Sequence, residues 1–178
     1  MSLPNFITAI RIVVTPIFVI MLMDRRFGAA IILFGLAAIT DGLDGLIARV
    51  MKQKTTLGAL LDPIADKLLL SSAYIVLGAI QVLPRWLAVI VISRDVLIML
   101  GVAILFIFRA PIKVKPSYIS KATTFVQIVT IFYALSNEFL YSPHLFKHLL
   151  VWGTGIITIL SGLHYIYIGM SLFNEDDR

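Results

Sequence analysis

Cysteine is absent from the 178 residues, which excludes disulfides, thiolate nucleophiles and cysteine-based metal sites. Charge is almost as scarce: 14% of residues are Asp, Glu, Lys or Arg, against about 25% in an ordinary soluble domain. Long polar stretches, internal repeats and low-complexity tracts are missing too. In their place 60% of the residues are hydrophobic, and the mean hydropathy is +0.98. A chain this apolar neither stays unfolded in water nor makes an ordinary water-soluble globule. The net charge of +5 is modest. It suits contact with anionic lipid rather than nucleic acid, because the apolar background leaves no continuous basic face.

Apolar runs occupy residues 6–23, 27–50, 57–80, 85–108, 121–141 and 145–173. Short polar or proline-bearing breaks separate them, among them Asp24-Arg25-Arg26, Lys52 to Thr56 and Ser142-Pro143-His144. At roughly 20–25 residues per crossing, the expectation is a single all-α integral membrane domain over residues 1–178, with six transmembrane helices. The first run carries Arg11 in its middle and lacks a small-residue cleavage site, so it does not read as a cleaved signal peptide. With a cytoplasmic N-terminus, Arg49, Lys52, Lys54, Arg109, Lys113, Lys115 and Lys121 lie inside, and Arg25, Arg26, Arg85 and Lys147 outside. That bias puts both termini inside. His144, His148 and His164 are isolated and read as packing or interfacial residues, and Trp86, Trp152, Tyr165 and Tyr167 as core or aromatic-belt residues.

Against this background four of the ten acids, Asp41, Asp44, Asp62 and Asp66, fall within 26 residues. A carboxylate near hydrocarbon costs at least ~2.5–3.5 kcal/mol on insertion scales, so such groups are rare and usually functional. They lie at the ends of helices two and three that share one short loop, hence on one side of the membrane. Asp41 and Asp44 are three apart, Asp62 and Asp66 four apart, so each pair shares a helix face. Four carboxylates at close range repel unless cations intervene. Arg49, Lys52, Lys54 and Lys67 could serve in a structural network, or a hard divalent ion could, since no His or Cys accompanies the acids. Gly42, Gly45, Ala48, Gly58 and Ala59 permit close helix packing or close approach of a ligand. Carboxylates with metal and Arg49 describe a pyrophosphate site; a non-catalytic cation-binding or cation-conducting membrane protein is the competing reading. A conduction path would spread its charges through the membrane depth, whereas these gather at one face.

The run Asp41-Gly42-Leu43-Asp44-Gly45-Leu46-Ile47-Ala48-Arg49, followed after eight residues by Gly58-Ala59-Leu60-Leu61-Asp62-Pro63-Ile64-Ala65-Asp66, resembles the signature of the CDP-alcohol phosphatidyltransferases. That pattern is D-x2-D-G-x2-A-R-x8-G-x3-D-x3-D, and all its fixed positions are matched. The opening Leu3-Pro4-Asn5-Phe6-Ile7-Thr8-Ala9-Ile10-Arg11 also resembles the P-N-x2-T-x2-R start of phospholipid synthases in this family. The resemblance implies Mg²⁺- or Mn²⁺-dependent transfer of a phosphatidyl group from CDP-diacylglycerol to an alcohol, releasing CMP, with two ions at the site. It implies Asp41, Asp44, Asp62 and Asp66 as metal ligands and Asp66 as general base. It also implies Asp44, Gly45, Ala48, Arg49 and Gly58 around the cytidine diphosphate. A homodimer in a bacterial or mitochondrial inner membrane follows from the same likeness, with the site between helices two and three facing cytoplasm or matrix.

For the acceptor, Lys115-Pro116-Ser117-Tyr118-Ile119-Ser120-Lys121, running on to Gln127, and Ser93-Arg94-Asp95-Val96 are similar to stretches of CDP-diacylglycerol-dependent cardiolipin synthases. Phosphatidylglycerophosphate synthases in the same family show a second Lys where Thr123 stands, and many an Arg where Val102 stands. Fewer cations favour phosphatidylglycerol, a singly charged diester, over glycerol 3-phosphate, a dianion. Arg94, Lys115, Lys121 and Gln127 are the candidate acceptor-binding residues.

Overall fold

The computed structural model describes the backbone of residues 3–51, 56–107, 118–137 and 144–175, and side chains over 10–40, 67–101, 103, 118–137 and 145–169. The described residues form six helices and no strand: α1 (Leu3–Met23), α2 (Phe27–Met51), α3 (Thr56–Ala79), α4 (Arg85–Ile107), α5 (Tyr118–Ser136) and α6 (His144–Glu175). Among the described residues two stretches, Tyr118–Ser136 and Leu145–Gly169, are long and apolar enough to cross a bilayer by themselves. The chain divides into two compact units, Met1–Leu83 with Ile131–Tyr141, and Pro84–Thr130 with Ser142–Arg178.

In the first unit α1 packs along both α2 and α3. Its buried stripe is Arg11, Phe18 and Leu22; that of α2 is Phe27, Ala30, Phe34 and Ala37; that of α3 includes Leu69, Leu70, Ala73, Tyr74 and Leu77. Three- and four-residue steps keep such a stripe on one helix face. Phe18 stacks on Phe34 at 5.6 Å, and Phe34 meets Phe132 edge-on at 5.1 Å. Pro16 lies inside α1 and has no N–H to give the preceding turn, and one residue earlier the Thr15 hydroxyl donates to the Arg11 carbonyl at 2.8 Å. Two helices end by the same device. Arg25 (φ 55°) and Gln81 (φ 64°) turn left-handed, while Arg26 N–H returns to Met21 O at 2.8 Å and Val82 N–H to Leu77 O at 2.9 Å. These bonds close the last carbonyls without a glycine.

In the second unit α4 packs along α6. Trp86 and Trp152 meet at 5.0 Å between ring centroids, and Gly155 makes the room. A methyl group built on Gly155 would lie 2.8 Å from Trp86 Cζ3 and 3.1 Å from its Cη2. Gly155→Ala is therefore an overpacking change. At about 1–3 kcal/mol it should lower the thermal midpoint in detergent by several degrees, and the smaller ring of Trp86→Phe should restore most of the loss. An unchanged midpoint for Gly155→Ala alone would contradict this packing.

Exposure is inverted relative to a soluble protein. Val13, Ile32, Ile39, Val89, Leu145 and Leu149 are each more than 60% exposed, whereas Arg94, Asp95, Gln127, Thr154, Thr158 and Ser161 are at most 4% exposed. Water would select the reverse; hydrocarbon selects this.

Candidate functional site

The acidic signature lies on the first unit. Asp41, Asp44, Gly45, Ala48 and Arg49 belong to the C-terminal half of α2, and Gly58, Asp62 and Asp66 to the N-terminal half of α3. Their backbone is helical; their side chains, Lys115 and the other residues of the α4–α5 connection lie outside the described residues. Helical register still places the four acids. The α2 stripe at 27, 30, 34 and 37 advances by alternating three- and four-residue steps, and the next two steps reach Asp41 and Asp44. On α3, Asp62 is seven residues before Leu69 and Asp66 seven before Ala73, both buried. Seven residues are nearly two turns, so all four acids sit at register positions that continue the packing stripes of their helices.

The donor set at these positions is oxygen only. Four carboxylates without His or Cys suit a hard divalent cation. Among the described residues no three His, Cys, Asp or Glu side chains group as ligands, and the signature acids are the set the sequence offers.

The candidate acceptor residues lie on the second unit, where the structure brings Arg94 and Gln127 into one buried seam. The guanidinium of Arg94 (α4) donates from Nη1 to Asp95 Oδ1 at 2.8 Å, from Nη2 to Ser120 Oγ at 2.6 Å and Ser161 Oγ at 2.9 Å, and from Nε to Ser161 Oγ at 3.3 Å. Tyr165, one turn beyond Ser161 on α6, places its ring 5.9 Å from the guanidinium carbon. Below this cluster α5 and α6 are joined rung by rung. Thr123 Oγ1 donates to Ile119 O at 2.8 Å and approaches Ile157 O at 3.3 Å, Gln127 Nε2 donates to Thr158 Oγ1 at 3.2 Å, and the Thr130 and Thr154 hydroxyls share a hydrogen at 2.6 Å. Each bond fixes the register of α5 against α6; such bonds average about 0.6 kcal/mol in a membrane setting. Lys121 faces away from this seam: it is exposed, with its ammonium 6.0 Å from the Tyr118 ring.

Thr130, Thr154, Thr158 and Ser161 had no place in the sequence reading; Ser120 entered it only within the stretch from Lys115 to Lys121, and Tyr165 as a core or aromatic-belt residue. A signal for them exists: uncharged polar residues recur at 123, 127 and 130 and again at 154, 158 and 161, the spacing of one face on two helices.

A helical chain whose described surface is largely apolar, with an acid signature in two consecutive helices, defines a class of helical protein suited to a membrane. The particular family follows from comparison: residues 1–160 match the model of the CDP-alcohol phosphatidyltransferases, and the chain belongs to that family. It is 32% identical over 188 aligned positions to the cardiolipin synthase (CMP-forming) of Rattus norvegicus, covering 94% of this chain and 61% of that protein. It is 33% identical over 183 positions to the CDP-diacylglycerol–glycerol-3-phosphate 3-phosphatidyltransferase of Bacillus subtilis, covering 92% and 93%. With a probable phosphatidylglycerophosphate synthase of Mycobacterium tuberculosis it shares 34% over 173 positions, covering 93% and 80%. The chain spans about three fifths of the length of the rat and human cardiolipin synthases.

Proposed function

We propose that the protein transfers the phosphatidyl group of CDP-diacylglycerol to the hydroxyl of phosphatidylglycerol, giving cardiolipin and CMP. The single observation that carries the transfer chemistry is the complete acid–glycine–arginine signature, from Asp41 to Asp66, on α2 and α3. In the reaction the acceptor oxygen bonds to the phosphorus that carries diacylglycerol, the bond from that phosphorus to the CMP oxygen breaks, and the hydroxyl proton passes to Asp66. Arg49 contacts the diphosphate, and Gly45, Ala48 and Gly58 leave room for the nucleotide. Asp41, Asp44, Asp62 and Asp66 would hold Mg²⁺ or Mn²⁺, two ions at full occupancy, which supply charge neutralisation at the transferring phosphoryl group.

The acceptor assignment rests on two positions of the second unit, Arg94 and Thr123. Arg94 is already neutralised by Asp95, and position 123 carries a threonine committed to the α5–α6 seam. A diester that is held in the membrane by its own chains needs less cationic attraction than a free dianion. Glycerol 3-phosphate, giving phosphatidylglycerophosphate, is the second reading, favoured by the Bacillus relative that the chain matches over 93% of its length. Lys115, Lys121, Arg94 and Gln127 would form the acceptor side in either case. Purified protein supplied with CDP-diacylglycerol and each acceptor separately, with lipid products resolved by mass, decides between them. Cardiolipin is expected; phosphatidylglycerophosphate without cardiolipin would reverse the choice.

The same reading takes residues 1–178 as one phosphatidyltransferase domain with six membrane crossings, both termini and the signature on the cytoplasmic or matrix side, in a bacterial or mitochondrial inner membrane. The family match running through both units supports the single domain, and the Lys and Arg bias supports the orientation. A homodimer rests on the family resemblance.

Arg49→Ala should raise the KM for CDP-diacylglycerol about 10- to 150-fold, the equivalent of a charge-assisted bond of ~1.5–3 kcal/mol. An unchanged KM would move Arg49 into a purely structural role among the aspartates.

A further inference from the structure

Arg11 is a cation buried within the first unit. It is 3% exposed and shares the buried stripe of α1 with Phe18 and Leu22, seven and eleven residues on. A buried guanidinium persists where anionic oxygens meet it. The acids of α1 to α3 and their connections are Asp24, Asp41, Asp44, Asp62 and Asp66. Asp24 follows the far end of α1, thirteen residues away, which is ~20 Å along a helix.

Register selects among the rest. The three-residue turn at 24–26 makes α1 and α2 antiparallel neighbours, and Phe18 stacks on Phe34. Seven residues back from Phe18 is Arg11; seven residues forward from Phe34 is Asp41. In an antiparallel pair both steps travel ~10.5 Å in the same direction, and each returns to within ~20° of the face it left. Asp41 therefore stands level with Arg11, on the continuation of the α2 stripe that packs against α1.

We propose that Arg11 is the built-in counter-ion of the acidic signature, paired with Asp41 and acting as a positioning residue for it. The pair holds the first carboxylate of the signature in one orientation. Its consequence for transfer rests on the proposed phosphatidyltransferase activity; the pairing itself does not.

A double-mutant cycle on the full chain in detergent, read as the thermal midpoint without added metal, tests the pairing. Removing one partner of a buried pair strands the other. Arg11→Gln should therefore lower the midpoint by roughly 6–15 °C with Asp41 intact, and by no more than about 2 °C in an Asp41→Asn background. Arg11→Lys, which keeps the charge, should recover most of the loss. Equal shifts in both backgrounds would overturn the pairing. If Arg11→Gln alone cannot be purified folded, recovery of a folded Arg11→Gln/Asp41→Asn protein is the supporting result, and its failure to fold overturns the proposal. Kinetics give the second readout: Arg11→Lys should lower kcat and leave the KM for the acceptor lipid unchanged, and a rise in that KM at unchanged kcat would remove the positioning role. Wild-type protein that released no CMP would sink the transferase reading while the thermal cycle still judged the pair.

Discussion

Asp66→Asn should lower turnover by ~10²–10⁴ while leaving the KM for CDP-diacylglycerol close to that of the wild type. The exchange preserves size and α3 register but removes the capacity to accept a proton, and a positioned general base contributes about that factor. The fall belongs in kcat because the lost interaction develops as the acceptor hydroxyl ionises, not when the nucleotide binds. Initial rates of CMP release at saturating concentrations of both lipids provide the check. Near-normal kcat in Asp66→Asn would remove Asp66 from the role; a loss confined to KM for the nucleotide would leave it the metal-holding role alone.

Chelation should have the other large effect. Exhaustive EDTA treatment is expected to abolish transfer, and Mg²⁺ or Mn²⁺ to restore it. The reason is electrostatic. In the proposed site Asp41, Asp44, Asp62 and Asp66 would bring four carboxylates together, and a diphosphate would add further negative charge. At neutral pH Arg11 and Arg49 alone leave that assembly repulsive. Full activity after chelation would contradict the assignment of the four aspartates to a divalent cation.

The helices were legible because hydropathy needs only composition over a window. The apolar runs at 27–50 and 85–108 become α2 (Phe27–Met51) and α4 (Arg85–Ile107). The run at 121–141 is displaced: α5 starts at Tyr118 and ends at Ser136, where the Ser136 hydroxyl turns back to Phe132 O at 2.7 Å and Asn137 N–H bonds Tyr133 O at 3.0 Å. The signature was legible because charge is conspicuous in hydrocarbon. What composition could not show is which face of each helix is buried. Ile32 and Phe34 are both apolar, yet the first is 63% exposed and the second 1%. In lipid, outward and inward faces are written in the same residues, so the period that reveals an amphipathic helix in water is lost. The hydroxyl seam was missed for a related reason. Each Ser or Thr is unremarkable alone, and the partners of Arg94 stand 26 and 67 residues away, at Ser120 and Ser161. Arg94 beside Asp95 was legible as a charge pair within one helix; the burial of both side chains is a property of the packed unit.

The most direct test of the account is the stoichiometry of CMP release from CDP-diacylglycerol by the purified protein, with phosphatidylglycerol present and with no alcohol present. The account predicts one CMP for each cardiolipin formed, and negligible CMP when the alcohol is left out. CMP released equally fast without any alcohol would make water the acceptor and the protein a hydrolase; no CMP under either condition would contradict phosphatidyl transfer altogether.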